Sequence, residues 1–144
     1  MQIIFSRSYK IVFFILFFST QVFADMININ CEYEKGVITN FKKNDPDKPG
    51  KSKKIPNMPD RLLMIDFDAK ILVDDFHNNE SNITWTADKI EWITPMNLDK
   101  YKIEMTSVFN KISGKLVMST ITSGKKIYRE SIIQFKCEEI KRKF

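Results

Sequence analysis

The sequence predicts an all-β domain, an antiparallel meander of about seven to eight strands forming a small barrel closed by a disulfide between its N- and C-terminal strands. Three observations carry this. Apolar and polar residues alternate with period 2 along most of the chain, as in strands with one buried and one wet face. Glycines at Gly36, Gly114 and Gly124 punctuate those runs as turn residues do. The two cysteines, Cys31 and Cys137, fall on inward positions of the first and last runs. A two-sheet sandwich is the alternative arrangement of the same strands.

The first 24 residues read as a cleaved secretory signal peptide. Arg7 and Lys10 form a positive start, Ile11 to Phe18 an apolar run, and Val22-Phe23-Ala24 a small-residue cleavage site. That run is about half the length of a membrane-spanning helix, and an uncleaved anchor is the alternative reading. Residues 25–144 then form a single domain large enough for one core, with the formal charge lowered from +5 to +3 by loss of Arg7 and Lys10. Export and an even cysteine pair agree, because disulfides persist in oxidising compartments, so the expected location is periplasmic or secreted.

The elements follow in order. Ile27, Ile29, Cys31 and Tyr33 alternate with asparagine and glutamate, giving a first strand that turns at Lys35-Gly36 into a short run, Val37 to Phe41. Residues 42–59 hold six lysines and four of the five prolines, and read as a Lys/Pro-rich loop. Arg61 to Val73 reads as a hairpin with Asp68-Ala69-Lys70 as its connection, which places Ile71 opposite Phe67 and leaves Asp66 and Asp74 on the wet face. A second hairpin carries Ile83 and Trp85 on one arm and Ile90 and Trp92 on the other, ended by Pro95, which lacks an amide hydrogen for the ladder. Tyr101 to Phe109, Leu116 to Ile121 and Lys126 to Cys137 complete the meander.

With these features the chain resembles small uncharacterised secreted proteins of Gram-negative bacteria. The matching residues are Cys31, Trp85, Asn110 to Leu116 with Ser113-Gly114, and Cys137 ahead of Arg142-Lys143-Phe144. The resemblance implies architecture and location, and brings no activity. The layout is also similar, more faintly, to periplasmic inhibitors of C-type lysozyme, small antiparallel barrels with a comparable cysteine pair. No residue of their inhibitory loop is carried over onto Thr122 to Tyr128.

Catalytic chemistry has few candidates. The single histidine, His77, is the one natural general base, near Asp74, Asp75 and Glu80. No catalytic or cofactor-binding residue is assigned, and no cofactor is expected. Asp66, Asp68, Asp74, Asp75 and His77 offer hard ligands for a cation, but in the wrong order for an EF-hand, so no metal site is assigned. The basic loop, with Lys48, Lys51, Lys53 and Lys54, is a candidate contact for an envelope protein or an anionic surface. It contains no arginine or aromatic residue for nucleic-acid readout, and no nucleic-acid partner is expected. Trp85, Trp92, Tyr101 and Phe109 fill the interior or line a cavity within it. Phe144 does not make a membrane barrel, because Glu138 and Arg142 share its face. The sequence thus points to a non-enzymatic binding or inhibitor module of the cell envelope. An envelope structural protein is the alternative, as is an enzyme built around His77.

Overall fold

A computed structural model describes residues 26–42, 45–74 and 82–141. The described residues form strands, turns and short irregular connections, with no helix among them. In order, the strands are β1 (Ile27–Lys42), β2 (Asp45–Lys54), β3 (Arg61–Asp66), β4 (Ile71–Asp74) and β5 (Ile83–Trp85). β6 (Lys89–Leu98), β7 (Tyr101–Asn110), β8 (Lys115–Gly124) and β9 (Tyr128–Glu139) follow. All belong to one antiparallel sheet in the order β4-β3-β1-β9-β8-β7-β6-β5, with β2 added beside β1, so the fold is not a two-sheet sandwich. The sheet curls into a half-barrel.

Cys31 and Cys137 are direct partners across β1 and β9 and form the disulfide that joins the N- and C-terminal strands. This pair lies within the sheet. Among the described residues the main path of the sheet ends at β4 and β5, with β2 a further edge beside β1, so the meander is opened at its middle rather than at its termini.

The concave face holds the core. Leu63, Ile65 and Leu72 of the β3–β4 hairpin pack with Ile90 and Trp92 of β6, Phe109, Leu116 and Phe135, all nearly fully buried. The turns around this half are tied together by Lys111, whose Nζ donates to the Thr86 carbonyl at 2.6 Å and stands 5.3 Å from the Phe67 ring centre.

Five local expectations are corrected. The segment read as a Lys/Pro-rich loop, 42–59, contains strand β2, which pairs with β1 from Val37↔Lys54 to Lys42↔Asp45 through two register shifts. Polar composition does not prevent a strand when main-chain pairing to an extended neighbour supplies the hydrogen bonds, and lysines suit an edge strand because they discourage further pairing. Lys35-Gly36 is not a turn. β1 passes through it as a bulge, with Tyr33 opposite Phe135 and Lys35 opposite Gln134.

The β3–β4 hairpin is one residue off the expected register, with Asp66 opposite Ile71 and Leu63 opposite Asp74. The cause is Asp66, whose Oδ1 accepts from the amides of Asp68 and Ala69 at 3.0 and 2.8 Å and so draws Phe67 into the turn. Asp66 and Asp74 are consequently buried, not on a wet face. Finally, Pro95 does not end its strand. β6 continues to Leu98 with Pro95 opposite Glu104, a tolerated place because β5 pairs only with Ile90 to Trp92 and, among the described residues, this part of β6 has β7 alone as partner.

Candidate binding site

The short strands explain where the half-barrel is open. β3 covers β1 only from Ile27 to Cys31, and β5 covers β6 only from Ile90 to Trp92. Beyond these, no other strand among the described residues covers the concave side of β6, β7, β8 and β9. Alternation fixes what lines its concave side. Trp92 is buried, so Thr94, Met96 and Leu98 share its face. Met105 and Ser107 are buried, so Ile103 and Tyr101 share theirs. On β8 the same face carries Thr120 and Thr122 beyond Met118, and on β9 it carries Ser131 beyond Ile133.

Register brings these positions side by side. Met96 lies opposite Ile103, Leu98 opposite Tyr101, Ile103 opposite Thr122, and Thr120 opposite both Met105 and Ser131. The result is a trough with an apolar half on β6 and β7 and a polar half on β8 and β9, where Arg129 follows Ser131 opposite Thr122 and donates through Nε to Asn40 Oδ1 at 2.7 Å. Its outer floor is accessible: Met96, Leu98 and Tyr101 are 37, 58 and 36 % exposed.

A buried polar group closes the inner end. Trp92 donates through Nε1 to Asp74 Oδ2 at 2.9 Å, and Arg61 Nη2 stands 3.5 Å from the same oxygen. The Arg61 Nη1 also reaches Met118 Sδ at 3.5 Å, across the interior from β3 to β8. These groups have no access to solvent to speak of, and they hold the β3–β4 hairpin over the core as a stop to the trough.

The outer end is a cleft of about 390 Å³ between two hairpin tips, lined by Asp99, Lys100 and Tyr101 of one and Lys125, Lys126 and Ile127 of the other. Tyr101 is seated there by Gly124. A β-carbon at Gly124 would stand 2.8 Å from the Tyr101 ring, so glycine is what lets the ring rest against the β8 backbone. The Gly124 amide in turn donates to the Ile127 carbonyl at 2.8 Å and closes the second tip. On the convex side below it, Tyr128 donates to Glu130 at 2.9 Å, which holds the Tyr128 phenol above its ordinary range.

The residues singled out from sequence are thus dispersed. Trp92 and Phe109 fill the core, Trp85 packs half-buried against it, and Tyr101 lines the cleft. Lys51, Lys53 and Lys54 are exposed along β2, and Lys48 lies on the same strand. Asp66 is committed to turn amides and Asp74 to Trp92 and Arg61. His77 and Asp75 lie outside the described residues. Sequence reasoning missed Lys100, Lys125, Lys126, Met96 and Leu98. The available signal was the continuation of the Ile90-Trp92 alternation through Thr94, Met96 and Leu98, which the reading of Pro95 as a strand end concealed.

Comparison with family models, with curated proteins and with solved structures gave no match.

Proposed function

We propose that this chain is an exported, non-enzymatic binding module, periplasmic or secreted, whose site is the trough and cleft on the open half of the concave face. The observation that carries the reading is the mismatch in strand length. The three short strands β3, β4 and β5 complete the core at the disulfide end and leave an accessible, partly apolar surface at the other. Concave, mostly apolar surfaces with a few placed polar groups are where ligands bind, and the cleft volume falls in the usual range for such sites. The trough side chains are thioethers, aliphatics, an aromatic ring, hydroxyls and the Arg129 guanidinium, which suit binding better than proton transfer near neutral pH. The disulfide suggests an oxidising, non-cytoplasmic compartment, in keeping with the export reading.

The test is to purify the exported protein under native conditions and identify what is bound by mass spectrometry. Thr120→Trp, which fills the trough, is expected to lose that material, and Ile132→Glu on the convex face is expected to retain it. Equal retention by both variants would reject the trough as the site.

A further inference from the structure

We infer that the ligand of this trough is a single-chain anionic amphiphile, its head group held by Lys100, Lys125 and Lys126 and its chain laid along Tyr101, Leu98 and Met96. The inference rests on the trough being the binding site and assigns its ligand class.

Charge and apolarity are arranged in sequence along the site. At the outer end the two hairpin tips bring three lysines around one cleft against a single carboxylate, Asp99. Such a cluster focuses positive potential where it is least screened by its own counter-charges. Inward from it come Tyr101 and Leu98, then Met96 and Ile103, then the buried pair Thr94 and Met105. The four strand steps from Tyr101 to Met105 span about 13 Å at the rise of an extended chain, the length of a medium acyl chain. Trp92, Ser107 and Met118 then close the path.

This order distinguishes an extracted amphiphile from a bilayer surface. A segment that docks on a membrane puts its apolar residues foremost and its lysines behind, reaching back to the head groups. Here the lysines are foremost and the apolar row recedes into the molecule. The order also disfavours an added peptide strand, because the free edge of β6 alongside the trough carries Pro95. An inorganic anion alone would leave the apolar row unused. Burial of a hydrocarbon chain there is favourable at about 0.8 kcal/mol per methylene, which makes the chain the larger part of the affinity.

The test is calorimetric titration of the disulfide-intact protein with dodecyl phosphate below its micelle concentration, with dodecyl maltoside, and with inorganic phosphate. Dodecyl phosphate is expected to bind one to one, and each half-probe at least tenfold more weakly. The triple variant K100E/K125E/K126E is expected to weaken dodecyl phosphate at least tenfold and to leave dodecyl maltoside unchanged. Leu98→Asp is expected to weaken both detergents. Circular dichroism melts matching wild type establish that the variants fold.

Equal binding of the neutral and anionic detergents would overturn the head-group assignment, and equal binding of inorganic and dodecyl phosphate would overturn the chain. Sedimentation with phosphatidylglycerol vesicles without binding of soluble dodecyl phosphate would overturn the inference in favour of surface docking. If no probe binds while Thr120→Trp still strips native material, the ligand class is wrong and the trough stands. If Thr120→Trp strips nothing, the trough itself fails.

Discussion

Asp74 is the residue on which the interior turns. Its carboxylate is removed from water, accepts from Trp92 Nε1 at 2.9 Å and lies 3.5 Å from Arg61 Nη2. Removing one partner of a buried charged pair is strongly destabilising because the other charge stays buried. Asp74→Ala is therefore expected to lower unfolding free energy by about 3 kcal/mol or more, measured by urea denaturation. In a double-mutant cycle with Trp92→Phe, the combined loss is expected to fall short of the sum, since both changes remove the same contact. Strict additivity would deny that the two residues interact. This residue was misread from the sequence for a physical reason. The side chain of Asp66 captures two turn amides and shifts the β3–β4 register by one residue, and a one-residue shift reverses every face assignment downstream.

At the scale of elements, β2 is the strand whose composition argues against it. Its place depends on Gly50, at the register shift between Thr39↔Ser52 and Phe41↔Pro49. A β-carbon there would stand 1.9 Å from the Asn40 carbonyl oxygen, closer than any contact permits. Gly50→Ala is expected to detach β2 from the outer half of β1. The expected result in hydrogen exchange is faster exchange of those amides between Val37 and Phe41 that face β2, while the alternate amides facing β9 and the Ile27 to Cys31 segment paired with β3 remain protected. Unchanged protection would show that β2 tolerates the methyl group by moving as a unit.

The segment also has an anchor after the strand. Ile55 donates its amide to the Gly36 carbonyl at 2.9 Å, accepts from the Tyr33 hydroxyl and packs against the core. Hairpins with strong alternation, such as Trp85 against Ile90, were legible from sequence. β2 was not, because its pairing is main-chain and its side chains carry no period. The trough was hidden for a related reason. It exists only because β3 and β5 stop short of β1 and β6, a relation between strand lengths distant in sequence.

For the whole molecule, the sequence places Cys31 beside Cys137 correctly, since both lie on inward positions of terminal strands, but not the seam between β4 and β5. The disulfide spans 106 residues, so it closes a long loop in the unfolded chain, a contribution of about 4 to 5 kcal/mol in the chain-entropy account. In the folded state the same two strands are also held by a ladder running from Ile29↔Glu139 to Phe41↔Tyr128, which does not need the bond. The double variant Cys31→Ser, Cys137→Ser is therefore expected to keep the wild-type far-ultraviolet spectrum at 25 °C. Its thermal midpoint is expected to fall by on the order of 15 °C, and its urea m-value to rise as the unfolded chain expands. A lowered midpoint with an unchanged m-value would place the effect in the native packing around Cys31, which faces Arg61 on its other side, rather than in the unfolded chain.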